Sequence, residues 1–140
     1  MGGSTWLSAW SQVQMGTVSI LRDDLRQARS VLDEALELSV AARSTGGVTL
    51  CLAAYAQLAF AEGHPQQAAR LEGAAEGLRR RVGLRAWPTL RQSEDELVTR
   101  TRQTLGTERF DQAFSAGSGL SQREAVATAR SRPGTGTQTS

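Results

Sequence analysis

The sequence contains no lysine and only one cysteine and one histidine among its 140 residues. Because Cys51 is alone, an intramolecular disulfide is excluded, and a reducing compartment such as the cytoplasm is favoured. Cys51 and His64 together supply too few soft ligands for a zinc site. Without lysine, the chain has no phosphate-binding loop of the Gly-rich, lysine-containing type. We therefore expect neither a metal nor a cofactor.

The charge is nearly balanced, since the chain has 16 arginines and 14 acidic residues and a net charge of +2. A small net charge gives no reason to expect nucleic acid as the partner. The distribution is uneven, however: residues 63–92 carry six arginines and two glutamates, whereas residues 93–112 carry five acidic residues and three arginines. The basic character is therefore local.

The chain also lacks a long hydrophobic run. Its longest largely apolar segment, Val48 to Ala61, is interrupted by Gln57, and roughly 20 apolar residues are needed to span a bilayer. The first residues do not show the order of an export signal, in which a basic segment is followed by an apolar segment and then by small residues. We expect a cytoplasmic protein with no membrane contact.

Two copies of one helical pattern, residues 16–42 and 56–82, lie forty positions apart. They carry small or aliphatic side chains at four equivalent pairs of positions: Ala28 and Ala68, Val31 and Leu71, Ala35 and Ala75, and Leu38 and Leu78. No segment shows the alternation of period two that a strand requires. The pattern predicts an all-α fold of stacked helical hairpins, an α-solenoid arrangement.

Turn and capping signals place the boundaries of this fold. We expect one domain over residues 1–132, with hairpins at about 5–43 and 46–82, C-terminal helices at about 90–130 that form a short cap, and a disordered tail at 133–140. The segment 44–47 should separate the hairpins, and Pro88 should interrupt the helix between 84 and 92. Ser93 with Glu96, and Ser121 with Glu124, have the spacing of capping boxes.

Both units resemble the tetratricopeptide repeat. Met15-Gly16, Ala28, Leu32 and Ala35 follow its pattern in the first unit, and Tyr55-Ala56, Gly63, Ala68 and Ala75 follow it in the second. Two departures are evident. Glu72 stands where a large apolar residue is usual, and the period of forty exceeds the usual length of about 34.

A closer resemblance extends from Gly16 to Ala129. It is carried by the runs Ala61 to Leu71, Gly73 to Glu76, Leu105-Gly106, Phe110, Ala113-Phe114, Gly119 to Ser121 and Glu124 to Val126. These runs are similar to the C-terminal helical region of actinobacterial LuxR-type, MalT-like signal-transduction ATPases with tetratricopeptide repeats. The resemblance implies a TPR-like fold and the sensing or protein-interaction arm of a transcriptional regulator. The ATPase and helix-turn-helix parts of that family have no counterpart here, which suggests a detached arm, a remnant or a fragment.

The first helices of the two hairpins would line a groove for a protein or peptide partner, a partner domain or a small inducer. By register with the repeat pattern, the residues facing this groove are Val13, Thr17, Leu50, Ala53, Gln57 and Phe60. Trp6 and Trp10 lie one turn apart on a helix that a preceding repeat would cover in the resembled proteins, and we expect this helix to be uncovered here. They are predicted either to fold into the core or to form an interface, with a homodimer through the first helix as one outcome.

A nucleic-acid-binding accessory protein is the alternative hypothesis. Arg79, Arg80, Arg81, Arg85 and Arg91 could contact phosphates or an acidic partner. They follow a helix C-terminus, where cations are favoured in any case, and no recognition-helix pattern accompanies them, so nucleic acid ranks second. Cys51 with His64 is the only candidate thiolate and base pair. A packed thiol and a solvated histidine explain these two residues better, so we expect no enzymatic activity.

Overall fold

The computed structural model describes the backbone of residues 2–84 and 88–131 and the side chains of residues 8–84 and 91–131. Within these ranges the chain forms seven helices and no strand, which confirms the all-α prediction. The helices are α1 (Gly2–Leu21), α2 (Leu25–Ala41), α3 (Thr45–Ala61), α4 (Pro65–Val82), α5 (Pro88–Leu105), α6 (Thr107–Ser118) and α7 (Gln122–Arg130). The predicted tail, 133–140, lies outside the described residues.

The first four helices form two hairpins that stack on each other. Helix α1 packs against α2, α3 packs against α4, and α3 also packs against both α1 and α2. In the remaining part, α6 lies mainly on α4, α5 contacts α4 and α6, and α7 closes against α3 and α4. Among the described residues, no helix has both the length and the hydropathy needed to cross a bilayer.

The turns of the two hairpins share one conformation. Asp23 has φ 62° and its equivalent forty positions later, Gly63, has φ 87°. The next residue caps the second helix in both units, and its amide donates to the carbonyl five residues earlier: Asp24 to Ser19 and His64 to Ala59, each at 2.8 Å. The forty-residue repeat is thus present in the backbone. The assignment of the units to the tetratricopeptide type stays a prediction.

The positions equivalent in sequence are also equivalent in burial, with one exception. Buried members are Ala28, Val31, Ala35, Ala68, Leu71, Ala75 and Leu78. Leu38, in contrast, is 39% exposed. The main neighbours of α2 are α1 and α3 alone, whereas α4 is surrounded by α3, α5, α6 and α7. The first hairpin therefore leaves part of its apolar stripe uncovered.

Three helix starts differ from the sequence prediction, and the first is that of α1, which begins at Gly2 and not at about residue 5. Helix α3 begins at Thr45, because the Ser44 hydroxyl accepts a hydrogen bond from the Gly47 amide at 3.0 Å and caps the helix ahead of its two glycines. Helix α5 begins at Pro88, a favoured first position for proline, so the capping box predicted at Ser93 was wrong. The capping box at Ser121 is confirmed, with both of its hydrogen bonds present.

The main chains of helices α4 and α6 are in close contact at three glycines. Methyl groups built on Gly73 and Gly117 would overlap the main-chain carbonyls of Phe114 and Arg70, respectively. Gly77, one turn beyond Gly73, faces the main chain of Ser118 in the same way. Glycines one turn apart allow such an approach because they carry no Cβ, and the contact fixes α6 on the second hairpin.

Candidate binding surfaces

A wide concave surface lies between α1, α3 and α5, and we call it the α1–α3–α5 cleft. Its volume is about 1310 Å³. The apolar part of its lining consists of Ile20, Leu21, Phe60, Ala61 and Leu97. Its polar part consists of Thr17, Gln57, Arg91, Gln92, Ser93, Asp95, Glu96, Thr99 and Arg100. The charged residues at the rim are two arginines and two acidic residues, so their charges balance. The floor of the cleft is apolar.

Three of the six predicted groove residues, Thr17, Gln57 and Phe60, line this cleft. Leu50 is half-buried and packs against the core, and Ala53 lines a different cavity. Val13 is 4% exposed and belongs to the core, so its side chain does not face the groove. The prediction for Val13 was wrong because α1 packs against both α2 and α3, which buries this position.

The third wall of the cleft, helix α5, was not predicted from the sequence. The guanidinium carbon of Arg100 lies 5.2 Å from the centre of the Phe60 ring, a cation–π arrangement between α5 and α3. A signal was present in the sequence, since Leu97, Thr101 and Leu105 follow one another at helical spacing and all three are buried. This buried stripe fixes α5 on the fold, and the residues of α5 beside the stripe form the third wall of the cleft.

The arginine segment is partly used inside the fold. Arg79 is 6% exposed, and its Nη2 lies 2.8 Å from Glu94 Oε1. Arg81 donates hydrogen bonds to the carbonyl oxygens of Ser118, the last residue of α6, and of Leu120, which follows it. Arg80 and Arg91 are exposed, and Arg85 lies outside the described residues.

The first helix carries both predicted interface tryptophans. The side chain of Trp6 lies outside the described residues, and Trp10 is half-buried on α1. Met15, Val18 and Leu21 on the same helix are 56%, 45% and 81% exposed, so the later part of α1 presents a larger apolar surface than Trp10 does. A homodimer through the first helix stays a prediction.

Cys51 and His64 occupy different environments. Cys51 is fully buried in α3, and burial raises the pKa of its thiol from 9.0 to about 12. A thiol with such a pKa stays protonated at neutral pH and is a poor nucleophile. His64 occupies the N-cap position of α4 in a surface turn. Within the described ranges, no group of three His, Cys, Asp or Glu side chains could hold a metal ion.

A buried carboxylate, Glu72, lies at the centre of α4. The residue is 8% exposed, and its Oε1 has no hydrogen-bond partner among the described residues. Its Oε2 lies 3.3 Å from the hydroxyl of Thr101, which also donates to the Leu97 carbonyl at 2.6 Å. A hydroxyl has a single proton to donate, and the shorter hydrogen bond, to the Leu97 carbonyl, is the stronger one. Glu72 therefore has only a long hydrogen bond from Thr101 at Oε2 and none from the described residues at Oε1.

Burial raises the pKa of Glu72 from 4.5 to about 8; the Thr101 hydroxyl opposes this shift and the negative charge of Glu94 adds to it. Burial also raises the pKa of Glu94, against the opposing charge of Arg79. The sequence signal for Glu72 was its position, since it replaces a large apolar residue of the repeat pattern. A charged residue type at a core position indicates a role other than packing.

We expect Glu72→Gln to be more stable than the wild type at pH 6 by about 2 kcal/mol and equally stable at pH 4. Between pH 4.5 and 8 the folded chain keeps the Glu72 proton that the unfolded chain releases, so wild-type stability falls as the pH rises through this window. Glutamine resembles the protonated acid and removes this dependence. Urea unfolding of both proteins across the window measures the difference. An unchanged difference at every pH would contradict the assignment.

Comparison with known proteins gives no match. No protein-family model matches the sequence, and neither a curated protein nor a solved structure matches it.

Proposed function

We propose that this chain is a non-catalytic helical-repeat module that binds a peptide segment of a partner protein in the α1–α3–α5 cleft. The observation that carries the proposal is the size of the cleft together with its chemistry. Small-molecule sites have volumes of roughly 300–1,000 Å³, whereas this cleft has about 1310 Å³. A segment of polypeptide fits such a space better than a metabolite does.

The surface chemistry favours an amphipathic helix as the bound segment. Phe60 and Leu97 provide an apolar floor, and the charged residues stand at the rim. Leu21 lines the cleft and is 81% exposed, and the apolar surface continues along α1 through Val18 and Met15 at a spacing of three residues. Helical peptides are recognised by grooves of this kind, with apolar anchors in the groove and polar side chains at its edges.

The resemblance to LuxR-type, MalT-like regulators supports a more specific role. It implies a regulatory arm, or a detached fragment of one, that acts in the cytoplasm and passes a binding event to a transcriptional regulator. The proposed peptide would then belong to another part of such a regulator or to a protein that controls it. A small inducer is the other ligand that the resemblance implies.

Nucleic-acid binding remains the second hypothesis. It would depend on the exposed Arg80 and Arg91, since Arg79 and Arg81 make contacts within the fold. Phosphate contacts gain strength from several cations on one surface. The peptide hypothesis needs no such cluster and accounts for the exposed apolar residues of α1.

Selection from a phage-displayed library of random peptides, followed by titration of the selected peptides, tests the proposal. We expect Leu21→Glu to weaken binding of these peptides by about tenfold or more, because a carboxylate would lie against the apolar side of the bound helix. Leu21 is exposed, so its replacement should leave the fold intact.

Val82→Glu is the matched control. Val82 is the last residue of α4, as Leu21 is the last of α1, and its side chain is 53% exposed and does not line the cleft. Peptide affinity should be unchanged in this variant. Selection of no peptide, or equal weakening by the two substitutions, would contradict the proposed site.

A further inference from the structure

A second cavity lies between α4, α5 and α6, and it shares Arg91, Asp95 and Leu97 of α5 with the cleft. Its volume is about 500 Å³, within the range of roughly 300–1,000 Å³ that is typical of small-molecule sites. Glu72, Glu94 and Asp111 contribute carboxylates to its wall, and Phe110 and Phe114 contribute aromatic rings. The cavity therefore combines a negative and an apolar part in a space the size of a metabolite.

The charges on the wall do not cancel. Glu72, Glu76, Glu94, Asp95 and Asp111 face Arg79, Arg91 and Arg102. Two of the three arginines are already paired, because Arg79 lies 2.8 Å from Glu94 and Arg102 lies 3.7 Å from Asp111. Neither of these pairs involves Glu72, so neither arginine pairs with the carboxyl group at the buried end of the cavity.

The buried carboxyl group of Glu72 is the candidate anchor for a ligand in this cavity. Glu72 is 8% exposed, lines the cavity and leaves Oε1 without a hydrogen-bond partner among the described residues. The nearby Thr101 hydroxyl lies 3.3 Å from Oε2, and its shorter hydrogen bond, at 2.6 Å, goes to the Leu97 carbonyl. A buried carboxylate in this state is satisfied by a proton of its own or by an external donor, and a cationic N–H group is the strongest such donor.

We propose that the α4–α5–α6 cavity binds a small organic cation, with its ammonium or amidinium group on Glu72 and its apolar body against Phe110 and Phe114. The two rings lie 5.5 Å apart between centroids and are tilted by 32°. They offer a surface for the hydrocarbon part of the ligand and a favourable quadrupole for its charge. The anchoring residues Glu72, Phe110 and Phe114 do not line the α1–α3–α5 cleft, and the site does not depend on the proposed peptide function.

Calorimetric titration of the full chain with primary amines tests the site. The probes are 2-phenylethylamine and n-butylamine, and 2-phenylethanol and n-butanol are their neutral counterparts. We expect the amines to bind and the alcohols to bind at least tenfold more weakly. A hydrogen bond between an ammonium group and a carboxylate is stronger than one from a neutral hydroxyl by about this factor. Absence of binding by both amines would overturn the proposal.

Two variants assign the binding to Glu72. Glu72→Gln keeps the shape of the side chain and removes its charge, and amine affinity should fall by about tenfold or more. Glu108→Gln removes one charge from the exposed first turn of α6, outside the cavity wall, and should leave amine affinity unchanged. Equal affinities of wild type and Glu72→Gln would overturn the proposal even if the amines bind.

The pH dependence adds a readout that a structural role of Glu72 would not produce. Its carboxyl must lose a proton before it pairs with a cation, so amine affinity should rise more than tenfold between pH 6 and pH 8. The other charged groups facing it are Glu76 and Arg79 on α4, Arg91, Glu94, Asp95 and Arg102 on α5, and Asp111 on α6. Glu72→Gln retains all of these groups, so a rise of equal size in this variant would overturn the assignment to Glu72.

Discussion

Replacing Gly73 with alanine is expected to lower the free energy of unfolding by about 3 kcal/mol, at the upper end of the cost of overpacking a core. The new methyl group would overlap the Phe114 carbonyl, which belongs to the main chain of α6 and cannot rotate away as a side chain could. Helix α6 would have to move off α4. The gain in helix propensity from glycine to alanine, about 1 kcal/mol, opposes the loss only in part.

Urea unfolding followed by circular dichroism measures this effect. Gly119→Ala is the control, since Gly119 has φ −89° and the nearest atoms to a new methyl group lie 3.9 Å away. We expect this variant to remain within about 0.5 kcal/mol of the wild type. Gly117→Ala should behave as Gly73→Ala does, because its methyl group meets the Arg70 carbonyl. Wild-type stability of both core glycine variants would show that α4 and α6 are farther apart.

Tyr55→Ala should destabilise the fold more than either core glycine variant, with a loss of about 4 kcal/mol. Tyr55 is 1% exposed in α3, and its hydroxyl donates a hydrogen bond to Asp33 of α2. The guanidinium carbon of Arg29, also on α2, lies 6.0 Å from the centre of the ring. Truncation therefore leaves a cavity between the two hairpins and removes one of the polar contacts between them.

Tyr55→Phe separates the packing from the hydrogen bond. It keeps the ring and removes the donor to a solvent-exposed carboxylate, so the loss should be about 1 kcal/mol. The measurement is the free energy of unfolding in urea for both variants. A loss below about 1 kcal/mol for Tyr55→Ala would contradict the stacking of the hairpins, because a fully buried aromatic ring cannot be removed at so low a cost.

The helices could be predicted because the periodic spacing of apolar residues is a local property. The turn at Gly63, the proline at the start of α4 and the left-handed Gly83 at its end all follow from the conformational preferences of single residues. The start of α5 could not be placed in this way. Pro88 both interrupts a preceding helix and favours the first turn of a new one, and the sequence does not state which effect prevails.

The binding surfaces were harder to predict because they depend on packing between distant helices. Register with a repeat pattern indicated Thr17, Gln57 and Phe60, but it could not show that α1 packs on two helices and buries Val13. The arginine segment shows the same limit. Its composition suggested one basic surface, whereas the pairing of Arg79 with Glu94 depends on how α5 lies against α4.

Two-dimensional amide NMR of the chain with and without a selected peptide tests the proposed binding site most directly. We predict that the shifted amides cluster around the α1–α3–α5 cleft, at Thr17, Leu21, Gln57 and Phe60 on two walls and at Arg100 on the third. Shifts confined to the exposed end of α4 around Arg80, with the cleft unchanged, would contradict peptide binding in the cleft.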